Sequence, residues 1–259
     1  MKRSIITVPI QKIDRDSVAT EQDLVAVEEP LEIVVNGRSL AVTMRTPGHD
    51  RELAAGFLFT EGIVQNRSQI AGISIGTNRV ELSVSAPADF VERRFYLTSS
   101  CGVCGKASIE ALESIGCPFL NRSEPRIPLA LISELPARLR SGQSVFEHTG
   151  GLHAAGLFDG AGSLLYLNED IGRHNAVDKI IGAAVLNGLT PLDRHILMLS
   201  GRAGFELIQK ALMAGIAIVA AVGAPSSLAV ETALRYGMTL AGFVRNARFN
   251  VYSGAERLS

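Results

Sequence analysis

The chain has 259 residues, room for one large domain or two unequal ones. It sets 25 Lys and Arg against 26 Asp and Glu, a formal net charge of −1, which excludes a broad basic footprint for nucleic acid and any acidic tail. With 47% hydrophobic and 20% charged residues the chain is too apolar to be disordered, and its 25 glycines point to tight turns or backbone held close to a ligand.

The first sixteen residues open with basic side chains, but their apolar run is short and broken by Pro9, so they do not form a signal peptide. Residues 31–45 read as two β-rich runs around Asn36-Gly37, a dipeptide suited to a two-residue hairpin turn. Residues 50–59 place Leu53, Ala54, Phe57 and Leu58 at helical spacing, with Asp50 as cap and Gly62 as stop, which predicts a helix packed on that hairpin. Strands are expected over 71–76, 79–86 and 90–97, completing a small α+β unit.

From residue 128 the pattern changes. A helix is expected near 131–140 and strands near 151–158 and 163–167. Residues 174–187 then carry Ala176, Val177, Ile180, Ile181, Ala184 and Val185 on one helical stripe that Gly188 ends. Residues 195–199, 216–222 and 239–244 are short apolar runs of the kind buried on both faces of a sheet. Helices over 204–214 and 226–236 separate them, the second with Ser226 or Ser227 as cap and Gly237 as stop. The order predicts an α/β fold: a smaller N-terminal α+β domain over residues 1–125, then a three-layer α/β/α domain with a mixed sheet over 126–259.

The longest uncharged apolar run, residues 211–224, falls short of the ~20 residues a membrane-spanning helix needs. Three cysteines, Cys101, Cys104 and Cys117, are an odd count that argues against a disulfide framework and for a reducing compartment. A cytoplasmic protein, without membrane or nucleic-acid partners, is the expectation.

Five segments concentrate chemistry. Residues 98–106 hold Cys101-Gly-Val-Cys104 in a glycine-flanked connector, where Lys106 and the start of a following helix would lower a thiol's pKa toward the nucleophilic range. Structural thiols, zinc binding and thiol redox compete with a carrier role, although Cys117 beside Pro118 offers no second ligand pair for zinc. Residues 168–175, Asn-Glu-Asp-Ile-Gly-Arg-His-Asn, crowd polar groups at the start of a helix. Capping by Asp170 or Asn175, with pairing of Asp170 and Arg173, is the bland reading, but capping explains one or two of them and leaves Arg173 and His174 unassigned, with Asp178 one turn on to orient the His174 ring. Ser200-Gly201-Arg202-Ala-Gly204, between a buried strand and a helix, suits either a phosphate cradle or a plain tight turn, with Glu206 and Lys210 a helix-surface pair. Residues 242–250 carry Arg245 and Arg248 among phenylalanines, able to hold phosphate and stack a base, or simply solvated. His148-Thr-Gly-Gly151-Leu-His153 lets backbone approach a ligand, whereas His195 suits a core or strand-edge position.

Together EEPLEIVVNG, MRTPGHDRELAAGFLFTEGI, TSSCGVCGK, TGGLHAAGL, EDIGRHNAVDKIIG, SGRAGFELIQKA and GFVRNARFNVYS resemble the FdhD family of formate dehydrogenase accessory proteins, from Glu29 almost to the C-terminus. The resemblance implies a sulfur carrier that accepts persulfide sulfur from a cysteine desulfurase. It would pass the sulfur to a molybdenum or tungsten bis(molybdopterin guanine dinucleotide) cofactor destined for formate dehydrogenase. It implies Cys101 as the persulfide-bearing cysteine and Cys104 as a second thiol. Phe243, Val244, Arg245, Asn246, Ala247 and Arg248 would contact the cofactor, with GDP as a mimic. Ser200, Gly201, Arg202, Gly151, His153 and His174 are added here as further parts of that pocket. A homodimer is expected by the same resemblance, and no structural metal. The family's larger domain resembles the cytidine deaminase fold, but His153-Ala-Ala155 lacks the glutamate of an H-x-E motif and the C-x-x-C precedes it, so deaminase chemistry is not expected. A cofactor-binding chaperone with dispensable thiols, or a zinc protein, are the competing functions.

Overall fold

The computed structural model describes residues 4–15, 17–85, 112 and 116–259. The strand expected over 90–97 and the C-x-x-C connector with its following helix lie outside the described residues. The first described element was not anticipated: β1 (Ile5–Asp14) and β2 (Ser17–Ala26) pair antiparallel as a separate ribbon, with Pro9 opposite Gln22. Proline signalled a break, but a two-stranded ribbon leaves each strand one open edge, where a missing N–H needs no partner.

The expected hairpin follows as β3 (Glu29–Val35) and β4 (Arg38–Arg45), turned by Asn36 and Gly37 at φ 49° and 80°. After helix α1 (Asp50–Thr60), β5 (Ile70–Gly76) and β6 (Arg79–Val84) complete a four-stranded sheet in the order β4-β3-β6-β5, with β3 and β6 parallel. Asp50 is the first helical residue and not the cap, a position held by His49 in the left-handed region. The Asp50 carboxylate is taken instead by the fully buried Arg45, whose guanidinium donates two bonds to it at 2.9 and 3.0 Å.

The remaining chain gives α2 (Leu129–Arg140), α3 (Ser144–Thr149), β7 (His153–Phe158), β8 (Leu164–Asp170), α4 (Arg173–Leu186), β9 (Ile196–Leu199), α5 (Phe205–Met213), β10 (Ile218–Ala221), α6 (Ser227–Tyr236), β11 (Thr239–Arg245) and β12 (Arg248–Ser253). The six strands form one mixed sheet, ordered β12-β11-β10-β9-β7-β8, in which β9, β10 and β11 run parallel. Alternation along the central strands explains their unbroken apolar character. Ile196, Met198, Ile218 and Ala220 face α2, while Leu197, Leu199, Val219 and Ala221 face the opposite layer of α4, α5 and α6. The fold is therefore mixed α/β, with helices on both faces of its larger sheet.

The small sheet joins this body through α1 and α4. A Cβ placed on Gly56 of α1 would lie 1.9 Å from the Asp178 carbonyl oxygen, and one on Gly182 of α4 would lie 1.8 Å from that of Glu52. The two backbones touch, and the hydrophobic cluster runs unbroken from Leu31 and Ile33 in β3 through both helices to Leu197 and Leu240.

Beside this contact stand two buried ion pairs. Lys179 meets Asp170 at 2.7 Å and donates to the Thr46 carbonyl at 2.9 Å. Lys210 meets Asp178 at 2.9 Å and donates to Thr60 Oγ1 at 3.0 Å, while Thr60 in turn donates to Asp178 at 2.8 Å. Burial pulls the Lys210 pKa down, but the Asp178 and Glu61 carboxylates outweigh it and hold the ammonium above its ordinary range. Each pair ties α4 or its approach to the segment around α1, with every charge answered.

Substituting Gly182 by Ala forces methyl against backbone and should lower unfolding free energy by about 3 kcal/mol. Gly72→Ala, in β5 with nothing within 4 Å of the added carbon, should stay within about 0.5 kcal/mol of wild type in the same urea titration.

Candidate functional site

The parallel strands β9, β10 and β11 end together, and their C-terminal ends are where open α/β sheets hold ligands. β7 runs antiparallel to β9, so its first residue, His153, stands beside the exit of β9. There Ser200 accepts a bond from Ala154 N at 2.8 Å through its hydroxyl and donates its own N–H to Ala154 O at 2.9 Å. Gly201 follows, and a Cβ on it would come within 3.2 Å of His153 Nδ1. Gly223 N donates to Gly201 O at 2.9 Å, and Phe243 N donates to Gly223 O at 3.1 Å. A Cβ on Gly223 would stand 2.9 Å from Gly201 O. A continuous path of backbone, stripped of side chains at two glycines, thus leads from His153 to Phe243 across three strand ends.

Beyond it the chain turns at Asn246 and Ala247, at φ 51° and 57°, so that Arg245 and Arg248 are directly opposed. Like charges so placed repel. Phe243, also at positive φ, turns its ring outward, whereas Val244 is fully buried beneath α2, so its side chain faces away from the crevice. Gly151 lies two residues before His153, on the exposed approach.

The 168–175 segment folds differently from the capping arrangement expected. Asp170 pairs with Lys179 rather than Arg173, because it is wholly buried where Lys179 arrives from the next turn of α4. Its other oxygen accepts from Gly172 N at 2.8 Å and Asn175 Nδ2 at 3.1 Å, and Asn175 also donates to Met44 O at 2.7 Å. Gly172 is the N-cap, without a side-chain cap bond. This scaffold sends Arg173 and His174 outward to the crevice. Asp178 does not orient His174; Thr60 and Lys210 occupy its carboxylate.

The structure also separates Glu206 from Lys210. Lys210 turns into the core, and Glu206 instead approaches His174, with 3.9 Å between Oε2 and Nε2. That ring nitrogen is shut from solvent and makes no hydrogen bond among the described residues. The neighbouring His174 and Arg173, working against partial burial, hold the Glu206 carboxyl below the ordinary glutamate range. His153 titrates below its ordinary value, first because it is half buried and then because Arg173, His174 and Arg202 surround it. Glu206, Gly223 and Arg173 are thus site residues absent from the sequence-based set. Val-Gly-Ala-Pro at 222–225, after a buried strand, was the available signal for Gly223.

His195 lies at the opposite end of β9. Cys117 is buried with its Sγ 3.3 Å from Met213 Sδ, and burial pushes its pKa up to about 12. Cys101 and Cys104 lie outside the described residues. Among the described residues no group of His, Cys, Asp and Glu is placed to hold a metal ion, and no helix is long and apolar enough to cross a membrane.

The fold defines a class: a mixed α/β protein whose candidate site, glycine-lined and bearing several arginines, lies at the ends of its parallel strands. The chain belongs to the FdhD/NarQ family, whose model matches residues 26–259. It is 48% identical to the sulfur carrier protein FdhD of Streptomyces coelicolor, over 96% of this chain and 93% of that protein. The sulfur carrier protein FdhD of Sulfurisphaera tokodaii is 43% identical over 97% of this chain and 98% of its own. A crystal structure from Desulfotalea psychrophila, described as that of a candidate formate dehydrogenase accessory protein, superposes with a TM-score of 0.81 at 25% identity, covering 99% of this chain and 100% of that one.

At pH 8 in the native protein Cys117 should react with iodoacetamide roughly a thousandfold more slowly than an ordinary cysteine, and at the normal rate in urea. His153, whose folded pKa is depressed, takes up a proton more readily in the unfolded chain. Stability should therefore fall as pH drops below 6.5, the ordinary value for a histidine, toward the folded one, and His153→Gln should flatten that part of a denaturation-against-pH curve.

Proposed function

We propose that this chain is a sulfur carrier for formate dehydrogenase maturation, loading sulfur on Cys101 and delivering it to a guanine dinucleotide form of the molybdenum or tungsten cofactor. The relatives' role as sulfur carriers supports the first half. The observation that supports the second is the concentration of guanidinium groups at one end of the sheet. Arg173, Arg202, Arg245 and Arg248 form no salt bridge among the described residues, and the backbone between them is cleared by Gly201 and Gly223. A ligand with several phosphates and a stacking base suits such a surface, with Phe243 available to the base.

In the loading step, the Cys101 thiolate attacks the terminal sulfur of the desulfurase persulfide. The donor cysteine leaves as a thiolate and Cys101 becomes the persulfide. For release, the Cys104 thiolate attacks the inner sulfur of Cys101 and expels hydrosulfide, with a Cys101 to Cys104 disulfide as the oxidised product. A cellular thiol then reduces that disulfide for the next round. The bound cofactor is the substrate that takes the sulfur. The residues of the crevice bind and orient it: the arginines meet its phosphates, the glycines let backbone N–H groups approach, and His153 stays neutral beside them.

Incubation with a cysteine desulfurase and cysteine should add the mass of one sulfur atom to wild type and none to Cys101→Ala. Equal loading of the variant would remove Cys101 from the scheme. Full formate dehydrogenase activity in cells carrying both Cys101→Ala and Cys104→Ala would replace the carrier by a cofactor-binding chaperone. GDP binding should weaken about tenfold in Arg245→Ala and in Arg248→Ala.

A further inference from the structure

Glu206 is an oddity in a site for anions: a carboxylate beside His174 and Arg173, which together with Arg202 also surround His153. Its side chain is 56% exposed, so it can swing out without disturbing the core. It reaches its place by folding back over Gly204, where a Cβ would stand only 3.2 Å from its Oε2. There it stops 3.9 Å from His174 Nε2, too far for a hydrogen bond, and leaves that nitrogen without a partner among the described residues. The acid that acts on His153, Asp170, is itself committed to Lys179.

We propose that Glu206 is a built-in stand-in for a phosphate-class oxyanion, which on binding displaces its carboxylate from beside His174 and Arg173 and recruits Arg202 of the same cluster. The incoming oxygen would accept from His174 Nε2, with the tautomer that places the proton there, and from the two guanidinium groups. Glu206 then acts as a competing anion that keeps the cations together while the pocket is empty and sets a threshold of negative charge for entry. An oxyanion carrying two or more charges outbids one carboxylate at this spot, and a singly charged one does so far less well. Gly204 favours the arrangement, because a Cβ there would stand 3.2 Å from the carboxylate oxygen and press it back by a few tenths of an ångström.

The inference rests on the cofactor pocket proposed above and deepens it by naming where a phosphate sits. Inorganic pyrophosphate titrated calorimetrically at constant ionic strength tests it without the cofactor. Relative to wild type, Glu206→Gln should bind pyrophosphate about tenfold more tightly and Arg202→Ala about tenfold more weakly. Glu206→Ala, which deletes the carboxylate by another route, should move in the same direction as Glu206→Gln. Unchanged or weaker binding in both Glu206 variants overturns the proposal, as does the absence of pyrophosphate binding in every form. GDP run in parallel separates the two readings. If pyrophosphate tightens as expected while GDP shows no binding at all, Glu206 keeps its role and the guanine dinucleotide assignment fails.

Discussion

Everything in this fold hangs on the contact between α1 and α4 at Gly56 and Gly182. A helix pair this close has no room for a methyl group on either side. The small sheet rides on α1 and the large sheet lies under α4, so the spacing of these two helices sets the spacing of the two sheets. The charges beside the contact share in it. Lys179 and Lys210 lie on different helices, yet each reaches across the junction, Lys179 to the Thr46 carbonyl and Lys210 to Thr60 and the Glu61 carboxylate, and a buried charge left without its partner would be far costlier than an exposed one. Close apposition permits those pairs, and the pairs in turn make separation of the helices expensive.

The same junction sets up the crevice. Asp170 ends β8, binds Lys179 and accepts from Thr46 N at 3.2 Å, while Asn175 reaches Met44 O. The turn that presents Arg173 and His174 is therefore braced by the end of β4 and the segment after it, in a part of the chain more than a hundred residues earlier. A change in how the small sheet sits would move His174 before it moved the strand ends.

Much of this was legible in the chain itself. The alternation of short apolar runs with helical stripes predicts β9, β10, β11 and the helices between them, because strands buried on both faces have no polar side to confuse the pattern. Asn36-Gly37, Ser226 and Gly237 act locally, and the structure uses them as turn, cap and stop. Residues whose partners lie far away in sequence were misassigned. Lys210 spaced four from Glu206 is indistinguishable from a surface pair until Asp178 and Thr60 arrive beside it. Asp170 looks like a helix cap until Lys179 claims it. The β1 and β2 ribbon was missed because Pro9 is a strong breaker in a central strand and a weak one at an open edge.

The sealed state of Cys117 limits which bonds the chain can form with itself. Three cysteines admit three different disulfides. A thiol with a pKa near 12 supplies almost no thiolate at neutral pH, and so neither attacks a sulfur elsewhere nor is drawn into exchange. Met213 and the packing around it thereby withdraw Cys117 from the pairings it could enter at neutral pH.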